Sequence, residues 1–338
     1  MPSTILLVPG TGGTRLQTGA GADLGYPERL QIGALTGGLI GTNPDELEEL
    51  LSMEHAPGQL EPVRTSLKAN TTISSGDVLD LAYNLVPTSA TRFVYDWRAD
   101  LRFNAQRLKD FLETTTPNGT RWDIISHSQG GLIVLLASML MDAEDAFARY
   151  VRTVFLVGVP IAGTVNAARA LITGSNLGET AAPIMKKVMR TWPSIYQMMP
   201  AWPMVRLPSG NVAPDDQQHF ELPGWDGHEG ISEDFLLRMQ QTQKKLRDPF
   251  SHLDDVKVFW MLASNRNTTV MLRRKQGKIT ADGALDNKGD TLVPLVQSLR
   301  WIGEQHRNYV VNYERGVNPH AWLLDDPIVM ANITDLRK

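Results

Sequence analysis

The chain has 338 residues, 42% hydrophobic and 21% charged, the composition of a folded globular protein and not of a disordered or membrane-spanning one. A formal net charge of −4 argues against a large basic surface for nucleic acid, and the patch Arg273, Arg274, Lys275 and Lys278 reads as a solvated hairpin. No cysteine occurs, which excludes disulfides, thiolate nucleophiles and cysteine-ligated zinc.

The first segment, MPSTILLVPG, carries no basic stretch, and its apolar run of residues 5–8 is too short for a signal peptide or a membrane span. The expectation is a cytoplasmic protein without a transmembrane segment. Apolar runs at residues 4–8, 91–95, 122–125, 151–157 and 256–262 read as buried parallel strands. Helical periodicity appears at residues 76–85, 101–113 and 130–141, the last apolar almost all round and therefore packed inside. This alternation predicts an α/β fold with a mostly parallel central sheet and helices on both faces.

Two stretches break the pattern. Residues 20–75 are rich in Gly, Pro and Thr, with one acidic helical piece, NPDELEELLSM, in which Asn43 can cap and Pro44 fits the first turn. They read as an excursion between sheet elements. Residues 160–252 hold many prolines and the Met- and Trp-dense MKKVMRTWPSIYQMMPAWPM, more than a simple crossover needs, and read as a cap inserted over the sheet. No repeat or linker composition divides the chain, so residues 1–338 are taken as one domain.

Residues 123–131, DIISHSQGG, fall between a strand-like and a helix-like run. A serine on a sharp strand-to-helix corner presents its oxygen above the sheet and requires small neighbours. Ser126 takes the first small position, Ser128 is the candidate nucleophile, and Gly130 and Gly131 let the helix approach the strand. A serine hydroxyl needs a histidine base and a carboxylate to fix the tautomer of that base, here in the chain order serine, acid, histidine. Candidate acids are Asp282, Asp286 and Asp290; Asp290 in NKGDTLVPL is preferred, with Asp286 next. His320 follows a strand-like run and a glycine turn, where a base would descend onto the serine, whereas His306 precedes that strand. His127, inside the elbow, cannot swing back onto its neighbour and is expected to pack or to sit at the substrate rim. Acyl transfer also needs donors for an oxyanion, and Gly12 in VPGTGGTRL and Gln129 after the serine are the two candidate backbone N–H groups. The same loop lacks the GxxxxGK[ST] spacing of a phosphate loop and the third glycine of a dinucleotide fingerprint. Asp226, His228 and Glu229 in WDGHEG could hold a cation only with a further distant ligand that the sequence does not supply, so no metal and no cofactor are called for.

Several segments together resemble the lecithin:cholesterol acyltransferase-like branch of the α/β-hydrolases. LLVPGTGGTRL resembles its oxyanion segment, YDWR at residues 95–98 its Tyr-Asp-Trp-Arg signature, and ISHSQGG its His-Ser-x-Gly-Gly elbow. LVGVPIAGT is similar to its Gly-x-Pro-x-x-Gly turn, RTWPSIYQMMP to its cap segment, and KGDTLVP to its acid loop. The resemblance implies a triad of Ser128, Asp290 and His320, oxyanion donors near Gly12 and Gln129, and acyl-ester substrates, typically phospholipids, with water or an alcohol as acceptor. The lack of cysteine removes the disulfide-pinned membrane-contacting loop of the secreted members, leaving room only for transient contact with a membrane surface. The function expected is therefore hydrolysis of carboxylic, lipid-like esters by an acyl-enzyme route. The alternatives are acyl transfer to an alcohol and a catalytically silent scaffold that binds a lipid or a protein.

Overall fold

The computed structural model describes residues 3–18, 48–49, 51–65, 67–72, 83–117, 119–141, 146–174, 178–247, 253, 255–264, 266–286, 288–302, 308–311 and 320–337. Among them, six strands form a central sheet: β1 (Ser3–Val8), β2 (Thr91–Arg92), β3 (Arg121–His127), β4 (Val151–Val157), β5 (Lys257–Ala263) and β6 (Asn308–Val311). The order across the sheet is β6-β5-β4-β3-β1-β2, and every neighbouring pair is parallel. The helices are α1 (Leu101–Thr115), α2 (Gln129–Met139), α3 (Val165–Thr173), α4 (Gly178–Met189), α5 (Pro193–Gln197), α6 (Glu233–Lys245), α7 (Leu295–Ile302) and α8 (Pro327–Leu336).

Both sheet faces are apolar, which is why the strands read as continuous hydrophobic runs and not as alternating ones. Leu6, Ile124, Val154 and Leu156 point into the larger cluster with residues of α1 and α2. Leu7, Ile125, Phe155 and Phe259 point the other way, against Leu323, Leu324, Val329 and Ile333 near the C-terminus. Helix α1 presents Leu101, Ala105, Leu108 and Leu112 on one stripe, and Asp100 caps it by accepting from the Arg102 N–H. Helix α2 is buried on every side from Gln129 to Ser138, as its all-round apolar sequence requires.

The stretch 160–252 contributes helices α3 to α6 and a two-residue strand, Val205–Arg206, which joins the antiparallel hairpin Thr268–Lys275 and Lys278–Asp286 in a second, three-stranded sheet. Its Met185, Met189, Trp192, Met198, Met199 and Met204 are buried in the same cluster as α1 and α2. The basic patch is indeed on a hairpin, but not all of it is solvated. Arg274 is buried and donates to the carbonyls of Gln217 (2.8 Å), Gly224 and Gly277. Of the stretch 20–75, residues 19–47, 50 and 66 lie outside the described residues, as do residues 73–82, which take in most of the 76–85 helix. Asn43 and Pro44 fall there too; residues 48, 49 and 51 of the acidic piece are helical. No helix among the described residues is long and apolar enough to cross a membrane.

The YDWR segment locks the larger face. Arg98 has no exposed surface and donates twice to Asp96, from Nε (3.0 Å) and Nη2 (2.7 Å), and further to the Leu51 carbonyl (3.0 Å) and Thr65 Oγ1 (2.9 Å). Removing one partner of a buried ion pair leaves the other charge uncompensated, at a cost of about 3–5 kcal/mol. An Arg98→Met variant is therefore expected to lose about that much unfolding free energy in a urea titration; a loss within 1 kcal/mol would show that the buried guanidinium stabilises little.

Candidate active site

In an open parallel sheet the loops at the carboxyl ends of the strands converge near the point where strand order reverses. Here the loops after β1, β3 and β4 meet there, between strands that are neighbours in the sheet. Ser128 follows β3 directly and stands at the N-cap of α2 with φ 52° and ψ −127°, a left-handed conformation costly for a residue with a Cβ. Its N–H donates to the Val157 carbonyl at 2.9 Å, and its carbonyl accepts from Gly131 at 3.0 Å. Two glycines allow the helix to start this close. A Cβ on Gly130 would lie 2.4 Å from the Pro9 and Val8 carbonyl oxygens, and one on Gly131 would lie 2.1 Å from Val159 Cγ2. Ser126, the small residue ahead of the elbow, is buried with its hydroxyl on the Phe155 carbonyl at 2.9 Å.

The three widely separated residues come together. His320 Nε2 lies 2.8 Å from Ser128 Oγ, and His320 Nδ1 lies 2.6 Å from Asp290 Oδ2. The other carboxylate oxygen, Oδ1, accepts from the main-chain N–H groups of Leu292 (2.9 Å) and Val293 (2.6 Å). Asp290 and His320 are buried, while Ser128 is half-buried and reachable. A carboxylate facing Nδ1 places the proton on that nitrogen, so Nε2 presents its lone pair to the serine hydroxyl.

The rejected acids lie elsewhere. Asp282 is exposed and paired with Lys275, and Asp286 ends the hairpin strand opposite Thr268. His306 lies outside the described residues. His127, expected to pack or to sit at the substrate rim, is buried. At WDGHEG, His228 Nε2 donates to the Ile279 carbonyl at 2.8 Å, and no group of three or more metal-ligating side chains occurs among the described residues.

The donor loop is a turn closed by Gly13 N–H to the Gly10 carbonyl at 3.0 Å, with Gly12 at φ 79°. It is held against the elbow: Thr11 Oγ1 donates to Gln129 Oε1 at 2.6 Å, and Gln129 Nε2 donates to the Trp97 carbonyl at 2.8 Å. Tyr95 of YDWR donates to the Pro9 carbonyl (2.6 Å), and Trp97 to that of Thr14 (3.1 Å). Gln129 also begins α2, so its own N–H is one of the first-turn donors without an intrahelical acceptor.

Several contributors escaped the sequence reading. Gly158, at φ 58°, backs the acid and base; a Cβ there would lie 3.3 Å from both Asp290 Oδ2 and His320 Cε1 and 2.7 Å from Leu323 Cδ1. Thr291, at φ 87°, is held by Thr268 Oγ1 on its N–H (3.0 Å) and by Asn166 Nδ2 on its carbonyl (3.2 Å). Thr164 Oγ1 donates to the Leu292 carbonyl at 2.5 Å. The LVGVPIAGT and KGDTLVP segments, singled out separately in the sequence, thus brace one another around Asp290.

Residues 88–221 match the family model for lecithin:cholesterol acyltransferase. The chain superposes on one in the crystal structure of the Tle4–Tli4 complex with a TM-score of 0.62 at 13% identity, covering 100% of this chain and 99% of that one. The mature Bacillus licheniformis lipase BlEst2 gives a TM-score of 0.42 at 13% identity, with 99% and 91% covered. No curated protein matches the sequence. The chain has the α/β-hydrolase fold, and its residues 88–221 are similar to the lecithin:cholesterol acyltransferase family.

Proposed function

We propose that the protein hydrolyses carboxylic esters, with lipid or phospholipid acyl esters as the substrate class, through an acyl-enzyme on Ser128. The observation that carries this reading is the directed chain from the Ser128 hydroxyl to His320 Nε2 at 2.8 Å and from His320 Nδ1 to Asp290 at 2.6 Å. Ser128 Oγ attacks the ester carbonyl while His320 Nε2 takes its proton, and Asp290 holds the imidazolium that forms. The tetrahedral oxyanion lies against the N–H groups of Gln129 and Gly12. Collapse expels the alcohol, which leaves with the proton from Nε2. Water then enters and gives a proton to His320 as its oxygen adds to the acyl carbon; collapse breaks the bond to Ser128 Oγ, which takes that proton back from His320 Nε2, and the free acid leaves. The stretch 160–252 serves as the cap over the acyl chain, and the protein works in the cytoplasm with transient contact to lipid surfaces.

Acyl transfer to an alcohol is the second reading, favoured by the family matched over residues 88–221. Products from p-nitrophenyl and phospholipid esters, analysed with and without a long-chain alcohol, separate the two. Free acid as the main product in both conditions is expected. A predominant alkyl ester in the presence of alcohol would establish transferase chemistry, and no turnover of either substrate would overturn the proposal.

A further inference from the structure

The sequence leaves His127 unexplained, since a buried imidazole next to the nucleophile is a costly way to fill space. Its two ring nitrogens have defined partners. Nε2 lies 2.8 Å from the His320 carbonyl oxygen, and Nδ1 lies 3.1 Å from the Tyr83 hydroxyl. A carbonyl only accepts, so Nε2 carries the proton and Nδ1 is the acceptor. Tyr83 must then donate its hydroxyl proton to Nδ1, and its oxygen in turn accepts from the Gly10 N–H at 2.9 Å. Every direction in the chain Gly10 N–H, Tyr83 O–H, His127 Nε2–H, His320 C=O is fixed by chemistry. The chain joins the donor loop after β1, the elbow after β3 and the residue that carries the base.

We propose that Tyr83 and His127 form a positioning relay, which sets the register of the Gly10–Gly13 loop against His320 across the nucleophile and acts on the reaction through those groups. The inference rests on the acyl-enzyme reading above. Both relay side chains are buried and held in the protonation states the chain requires. Burial, followed by the neighbouring His320, lowers the His127 pKa to about 3, and burial raises that of Tyr83 to about 12. The His320 peptide is pinned at both ends, because its N–H also donates to the Asp290 carbonyl at 3.1 Å. His127 and His320 rings lie 5.1 Å apart, and those of Tyr83 and His127 5.7 Å apart edge to face, so the relay is packed as well as hydrogen-bonded. A Cβ on Gly10 would lie 3.0 Å from Ser128 Cβ and 3.2 Å from His127 Nδ1, so the donor loop packs directly against the nucleophile and the relay histidine.

The test is a double-mutant cycle on the full chain with Tyr83→Phe and His127→Leu, reading kcat, KM and the thermal unfolding midpoint on a soluble ester. A displacement of about 1 Å at a reacting group costs roughly 100-fold in rate, so each single change is expected to lower kcat by about 10- to 100-fold with KM within about twofold. The double variant is expected to be no slower than the worse single one, because either change breaks the same chain. Tyr83→Phe keeps the ring and its packing, which maintains the test if His127→Leu does not fold. An unchanged kcat in Tyr83→Phe, multiplicative losses in the double variant, or an effect confined to KM would overturn the relay. The same preparations are treated with a fluorophosphonate: wild-type protein that does not label defeats the acyl-enzyme reading itself, whereas labelled wild type with an unaffected Tyr83→Phe defeats the relay alone.

Discussion

Ser128→Ala is expected to lower ester turnover by about 10⁴-fold or more while leaving the unfolding transition unchanged or slightly stabilised. The loss is large because the hydroxyl is the reacting group in the proposed mechanism. The stability effect is small because Ser128 Oγ supplies no cap to α2 and, among the described residues, hydrogen-bonds to His320. The left-handed φ of 52° remains strained for alanine, so the backbone cost is shared by both variants. Steady-state kinetics beside a urea titration check both halves. Residual turnover within tenfold of wild type would mean that another group attacks the ester.

Asp290→Asn is expected to lower kcat by about 10⁴-fold with little change in KM. The reason is geometric. Oδ1 accepts from Leu292 and Val293 N–H groups, so the asparagine oxygen must occupy that place and its amide N–H₂ must face His320 Nδ1. That forces the imidazole proton onto Nε2, where it opposes the serine hydroxyl instead of receiving its proton. The main-chain bonds that hold the loop survive, so circular dichroism and unfolding should match wild type closely. A variant that keeps more than a tenth of wild-type kcat would show that the carboxylate only packs.

Much of the sheet and the residues brought together at the elbow were legible because their signals are local. Central strands covered on both faces leave continuous apolar runs, and a serine flanked by small residues between a strand and a helix announces a tight corner. Asp290 and His320 followed from chain order and loop context. Tyr83, Gly158, Thr164, Asn166 and Thr268 were not legible, because each acts through a contact far along the chain; Tyr83 meets His127 across 44 positions. Gly158 matters through a positive φ and a neighbour's atoms, neither of which a glycine in VGVP discloses. In the basic patch, a hairpin as expected, Arg274 alone departs from the solvated reading, for a related reason. In the strand Thr268–Lys275 alternate side chains face opposite ways, so Arg273 and Lys275 are exposed while Arg274 between them is buried on carbonyls. A run of charges in sequence looks uniformly solvated until the strand's phase is known.

The Met- and Trp-rich segment shows the same limit. Its composition suits a lipid pocket or a packed core equally, and Met185, Met189, Trp192 and Met199 are all buried against the main cluster. What distinguishes the site chemically is the half-buried Ser128 beside a buried acid–base pair.

The most direct measurement is covalent: the intact protein is treated with a fluorophosphonate probe, digested, and the adduct located by peptide mass spectrometry. A single adduct on Ser128, absent when His320 is replaced by Ala, is the expected result. An adduct on a different serine, or equal labelling of Ser128→Ala, would contradict a nucleophile at the corner between β3 and α2.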